Sequence, residues 1–304
     1  MRLPAKDGLL LLGKKPDFTS FDYLSRVKKV FNTGKVGHTG TLDKFASGLL
    51  LVLVGRGVKL VPLFEACAKE YTGTVFFGEE TDTLDPEGSV IAGGKVPSRE
   101  EVEAVLPAFR GGILQAPPAY SAIHVNGRRA HELSREGKEP EMKKRPVTIH
   151  ELELVSWAPP LAEIRVACSS GTYIRSLARD IALAAGTRAH LTALRRTKIG
   201  AFRLEDAAAC DDANLAEALR PLDRRLFQAL SLPCVLIDAK AEESFLHGRP
   251  LEGILAGEPT LTDGKLADGR AGVFSKTEGE RFLGFIERRN GKWAYGHVFG
   301  TAGA

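Results

Sequence analysis

Residues 49–54 read LLLVLV, an unbroken apolar run between Gly48 and Gly55. A strand that is apolar at odd and even positions alike has no face to offer water, so both of its faces must be covered. The run therefore predicts an inner strand of a sheet flanked on both sides. Directly before it stands GKVGHTGTLDKFAS, residues 34–47, in which a glycine-rich turn delivers a lone carboxylate, Asp43, to the mouth of that strand. Taken alone, such an aspartate most often makes an Asx turn or a helix cap.

The rest of the chain supplies the other layers. Residues 8–12 form a second short apolar run, and Ser20 opens a helix whose Phe21, Leu24, Val27, Val30 and Phe31 share one face until Gly34 ends it. Residues 69–78, 146–157 and 162–169 read as strands, and 171–186 as a helix closed by Gly186. Ser98 with Glu101 is a capping-box pattern that opens a helix to about Ala108. Between about 110 and 146, proline, glycine and charge mix around an Asn126-Gly127 hairpin signal, which predicts a projecting loop containing a hairpin. An acidic helical segment is expected up to about Leu230, followed by short strands and the glycine-marked turns TDGKLADG and RRNGKWAYG. The pattern is α+β, with a large domain over 1–230 and a small β-rich domain over 231–304.

Charge narrows the function. The chain holds 42 Lys and Arg against 38 Asp and Glu, so its distribution matters more than its sum. Residues 188–203 carry five basic residues and no acid, and residues 14–35 carry six against Asp17 and Asp22. Two basic segments without matching acid predict a polyanion footprint, RNA or DNA rather than a membrane. The basic loop from Arg128 to Arg145 also contains glutamates, so a solvated loop and a nucleic-acid contact stay equally open there. No apolar run is long enough to span a bilayer, and the N-terminal run of leucines is too short for a signal-peptide core. Cys67, Cys168, Cys210 and Cys234 stand singly, with no zinc-ligand spacing around them. Buried free thiols in a reducing cytoplasm, and no metal, are the expectation.

GHTGTLD, KEYTGTVFFGEETDTLDPEG, QAPPAYSA, SSGTYIRSLARD and LRRTKIGAF follow one another in this order. This ordered set resembles the TruB family, the pseudouridine synthases that isomerise the T-loop uridine (uridine-55) of tRNA, over about Leu9 to Phe202. The resemblance implies a mixed, largely antiparallel central sheet of the pseudouridine synthase type with flanking helices, and a C-terminal PUA-like RNA-binding module. It implies that Asp43 is the catalytic carboxylate, that Tyr71 lies against the uracil and handles the proton leaving C5, and that Arg175 pairs with Asp43 while Tyr173 packs beside the site. A stacked uridine must be extruded before it can react. The resemblance implies that His38 fills the gap, that Lys15 and Pro16 form the family's turn near the site, and that Leu194 contacts the base. Arg195, Arg196 and Lys198 are expected on phosphates. The implied partner is the T-arm stem-loop of tRNA, bound by a monomer with no cofactor and no obligate protein partner.

The sequence departs from the family pattern at Lys44, where proline is usual, and at Lys14, where aspartate is usual. Ser170 and His124 stand where lysine is common, and His131 where tyrosine is frequent. An ammonium at Lys44 is positioned to replace the one missing at Ser170. Whether Asp43 attacks C1', attacks C6 or removes a sugar proton is open from sequence. Two other readings share the scaffold: a non-catalytic RNA-binding or tRNA-folding protein, and a guide-RNA-dependent relative inside a ribonucleoprotein. A carboxylate in a site for polyanionic RNA weighs for catalysis, and the projecting loop, by analogy, for the stand-alone form.

Overall fold

The computed structural model describes residues 7–125, 127–138, 140–210, 214–255, 260–262, 269–276 and 280–300. The strands that build its central sheet and the adjoining hairpins are β1 (Gly8–Lys14), β2 (Val36–His38), β3 (Ser47–Val54), β4 (Lys69–Phe77), β5 (Glu79–Thr81), β6 (Val90–Gly93), β7 (Gly111–Gln115), β8 (His124–Val125), β9 (Arg128–Arg129), β10 (Arg145–Ala158), β11 (Leu161–Cys168), β12 (Ala189–Ile199) and β13 (Phe202–Arg203). The helices among them are α1 (Ser20–Val30), α2 (Val61–Glu65), α3 (Arg99–Val105), α4 (Ala130–Arg135) and α5 (Ile174–Ala184). The main sheet runs β1-β3-β12-β4-β11-β10-β7, with β2 on β3 and β13 on β12. Its one parallel pair joins β12 to β3 and its other pairs are antiparallel. The sheet is thus mixed and largely antiparallel.

The LLLVLV run is covered on both faces. Leu50, Val52 and Val54 share a core with Leu10 and Leu12 of β1 and with Tyr23, Leu24, Val27 and Val30 of α1. Leu49, Leu51 and Leu53 face the opposite way, into a core with Leu9, Leu11, Phe64, Phe202, Phe227, Phe274 and Phe299. A third core lies between α5 and the β4–β11–β10 part of the sheet. At Gly48, with φ +110°, an added Cβ would stand 2.2 Å from the Arg196 carbonyl oxygen. Only glycine lets β3 come this close to β12.

A second sheet follows. After α6 (Arg224–Ala229) come β14 (Cys234–Ile237), α7 (Ala239–Leu246), α8 (Leu251–Leu255), β15 (Thr260–Thr262), β16 (Arg270–Ser275), β17 (Phe282–Arg289) and β18 (Lys292–Val298), and these strands pair in the order β15-β14-β16-β17-β18. The RRNGKWAYG turn joins β17 to β18 through Asn290 and Gly291, both at positive φ. Residues 263–268 of the other turn lie outside the described residues.

Four local expectations are corrected. Phe21 is 65% exposed, because the buried face of α1 runs through Tyr23 instead. Asn32, at φ +47°, turns the chain after α1 before Gly34 is reached. Residues 111–115 are an edge strand of the main sheet, so the projection starts after Gln115, and its hairpin pairs β8 with β9 around residue 126, which lies outside the described residues. Among the described residues, the acidic stretch after residue 203 is a 3-10 turn (Leu204–Asp206) and then turns and irregular chain before α6, and residues 211–213 of it lie outside the described residues. Its clustered acids and alanines lack the apolar period that would pin a helix to a core.

Candidate active site

Asp43 sits in the turn between β2 and β3. On one side of it, Ser20 Oγ accepts from Leu42 N at 3.0 Å and donates to Leu42 O at 3.3 Å, and on the other Ala46 N closes onto Asp43 O at 3.1 Å. The backbone is held, and the side chain, 35% exposed, keeps an open side.

Arg175 gathers four of the five motifs, all but LRRTKIGAF, onto one guanidinium. It lies in the first turn of α5, with only 5% of its side chain exposed. Its Nη2 donates to Asp43 Oδ1 and to Tyr120 O, both at 3.1 Å, and its Nη1 donates to Thr83 O at 2.8 Å and Asp85 Oδ2 at 3.1 Å. Its Nε is 2.9 Å from Asp43 Oδ2, off the hydrogen-bond line. Asp85 is itself fixed, accepting from Thr83 Oγ1 at 2.6 Å and Glu87 N at 3.0 Å in a turn where Leu84 takes φ +61°. An arginine carrying two carboxylates and two carbonyls cannot swing, so the edge it offers Asp43 is fixed. Burial pushes the Asp43 carboxyl above its ordinary pKa and Asp85 adds to the rise, while Arg175 opposes it.

Tyr71 projects from β4 into the core that holds Leu42, Ala46 and Leu194, and burial raises its hydroxyl pKa, so it is a neutral phenol at neutral pH. Tyr173 precedes α5 half-buried, its backbone clamped by Gln115, which accepts from Tyr173 N at 2.9 Å and donates to Tyr173 O at 3.1 Å. His38 ends β2 half-buried, and burial together with the Arg196 charge lowers its pKa, so it stays neutral near pH 7. Lys15 is exposed, its backbone N–H tied to the Tyr23 hydroxyl at 2.9 Å.

The basic segment 188–203 divides. Arg195 is exposed on β12. Lys198 pairs with Glu70 at 2.7 Å. Arg196 is 1% exposed and donates to Leu49 O at 2.8 Å and Gly40 O at 3.1 Å, beneath the glycine-rich turn. A group so enclosed has no open side for a phosphate, and the expectation of a phosphate contact is withdrawn for Arg196. Lys44 reaches Glu87 at 3.4 Å, both half-exposed. Cys168 and Cys234 are buried thiols outside any disulfide, whereas Cys67 and Cys210 are only partly enclosed. Asp85 is the residue the sequence reading passed over. It lies inside EETDTLDPEG among Glu79, Glu80, Asp82 and Glu87, and no local signal marks it as the acid that turns inward.

Residues 28–174 match the model of the TruB family pseudouridylate synthase N-terminal domain, and residues 175–230 that of the tRNA pseudouridylate synthase B C-terminal domain. In the fold this second segment is no separate body, since it contributes β12 to the middle of the main sheet. The tRNA pseudouridine synthase B of Borreliella burgdorferi (strain ZS7) is 43% identical over 217 residues, 70% of this chain and 77% of its own length. That of Burkholderia mallei is 40% identical over 295 residues, 94% of this chain and 95% of its own. Among solved structures, a chain of a Cbf5-Nop10-Gar1 complex superposes with a TM-score of 0.68 at 24% identity, over 92% of this chain and 78% of that one, which shows a shared fold. With four of its motifs converging on one buried arginine and its length matched by such relatives, the chain belongs to the TruB family of pseudouridine synthases.

Proposed function

We propose that this enzyme isomerises the T-loop uridine of tRNA, with Asp43 as the reacting carboxylate. In the reaction C1'–N1 breaks, the uracil turns over, C1'–C5 forms and the C5 proton is released as N1 takes one up, so atoms balance without a cofactor. A carboxylate can form and leave a bond to carbon or remove a proton, and the fixed guanidinium of Arg175 orients it without being consumed. The Tyr71 ring packs against the base and its hydroxyl relays the C5 proton. His38, neutral and flat, replaces the extruded base in the stack. Arg195, Lys198 and Lys15 contact phosphates, and the C-terminal sheet is a PUA-like RNA-binding unit.

The observation that carries this reading is the convergence of Asp43, Asp85, Thr83 and Tyr120 on Arg175. A protein that only bound RNA would gain nothing from a carboxylate held against a buried arginine in this way. The relatives named above are tRNA pseudouridine synthases at 40–43% identity, against 24% for the chain of the Cbf5 complex, which supports a stand-alone enzyme working on tRNA, and a monomer acting in the cytoplasm is part of the same proposal. The test is Asp43→Asn on an unmodified T-arm stem-loop. Turnover falls by at least about four orders of magnitude, or ~5.5 kcal/mol of barrier, while RNA affinity is kept. Turnover within tenfold of the parent, on the order of 1.4 kcal/mol, sinks the assignment. Tyr71→Phe keeps the ring and RNA binding but loses product, and normal pseudouridine formation by it would move proton handling elsewhere.

A further inference from the structure

Lys14 is the last residue of β1 and is 2% exposed. Its ammonium donates to Lys15 O at 3.1 Å, Lys44 O at 3.2 Å and Ala46 O at 2.5 Å. An ammonium has three donors, and here each meets a backbone carbonyl. All three of these contacts go to backbone and none to a carboxylate. Burying an unpaired ammonium costs several kcal/mol unless hydrogen bonds replace water, so its presence calls for a physical reason.

The reason lies in what it holds. Lys44 and Ala46 are the first and third residues after Asp43, and Lys44 O also accepts from Asp17 N at 2.9 Å. Leu42, on the other side, is already fixed by Ser20. Both flanks of the carboxylate are therefore anchored, one by a hydroxyl and one by Lys14. Burial lowers the Lys14 pKa to about 8; Asp43, Asp17 and Asp22 oppose that fall and Arg196 adds to it, so the ammonium is charged at neutral pH. Lys14 in turn lowers the pKa of Asp43 against the rise that burial causes.

We propose that Lys14 is a positioning residue for Asp43: its buried ammonium fixes the backbone of Lys44 and Ala46 so that the carboxylate meets Arg175, and it places a positive charge beneath the turn that carries it. This rests on the reading of Asp43 as the reacting group. It gives Lys14, at a position where the family commonly has aspartate, a role beneath the site rather than on the RNA.

The test compares Lys14→Met, Lys14→Gln and Lys14→Arg in the full chain, with the T-arm stem-loop as substrate and Asp43→Asn as reference. Misplacing a reacting group by about 1 Å costs on the order of 100-fold, so Lys14→Met loses about that much kcat, its RNA dissociation constant stays within about threefold of the parent, and the acid limb of its kcat profile moves to higher pH. Lys14→Gln, which keeps donors but no charge, recovers part of kcat and keeps the displaced limb. Lys14→Arg, which keeps the charge, brings the limb back. Parental kcat and an unmoved limb in Lys14→Met overturn the proposal, as does a loss confined to RNA affinity. If Lys14→Met does not fold, Lys14→Gln decides on the same limb: displaced supports the role, unmoved removes it. A turnover-competent Asp43→Asn would instead remove the reading of the site, a result distinct from the failure of Lys14 alone.

Discussion

Asp85 and Lys14 act on Asp43 with opposite sign, and that separates them experimentally. Asp85 raises the Asp43 pKa and Lys14 lowers it, while burial sets the overall direction upward. A carboxylate whose pKa is raised loses its charge, as pH falls, earlier than an ordinary one, so the acid limb of activity lies above the usual carboxylate value. Asp85→Asn removes a negative neighbour and moves that limb to lower pH. It also frees the Nη1 side of Arg175, so the plateau of kcat drops by about 10- to 100-fold, the usual cost of losing a supporting partner. A pH–rate profile reads both effects, and an unchanged plateau would make Asp85 a bystander. The identity of Asp43 was legible because its motif is one of an ordered set. The arginine's second carboxylate was not, since nothing local in EETDTLDPEG says which of its acids turns inward. That is decided by the turn at Leu84 and by the approach of α5, a contact 90 residues distant in the chain.

At the scale of the element, β12 explains why a run of basic residues is not one surface. Neighbouring residues on a strand point to opposite faces, so Arg195 and Arg196 cannot both meet RNA. The two arginines were legible as basic and as lying on one segment, but which of them turns inward depends on β12 being inserted between β3 and β4, and a pairing so distant in sequence leaves no local trace. Strand β3 was legible for the converse reason, since an apolar run on both faces has one physical outcome. The contrast is testable in salt. Arg195→Ala lowers the slope of log affinity against log salt by about 1, the signature of one lost phosphate contact. Arg196→Ala leaves that slope unchanged and lowers kcat and melting temperature together, because Leu49 O and Gly40 O lose their buried donor. A salt slope reduced equally in both variants would restore Arg196 to the RNA surface.

For the whole molecule, the informative feature is the core shared across residue 230. Composition shifts there, from an acidic stretch to short strands, and a boundary was legible on that basis. What the shift could not convey is that the second face of LLLVLV is covered from beyond it, by a core that includes Phe274 and Phe299 alongside Leu9, Leu49 and Leu51. Phe274 is also ringed by Phe227 and Phe282 at centroid distances of 5.4 and 5.2 Å, an aromatic cluster that straddles the same point. We therefore expect the C-terminal sheet to be structurally necessary to the catalytic sheet, whatever it contributes to RNA. A chain ended after Leu230 uncovers one face of β1 and β3. A fully buried Leu or Phe is worth ~1.5–3 kcal/mol, so exposing two or three costs ~5 kcal/mol. At ~2–4 °C per kcal/mol for a domain of this size, the melting temperature falls by ~10–20 °C. The truncated chain also binds a hydrophobic dye and self-associates, because the exposed face is a continuous apolar sheet surface. Thermal unfolding and light scattering of the two lengths decide it. A truncated chain that melts with the parent and stays monodisperse would show that the C-terminal sheet is an independent appendage.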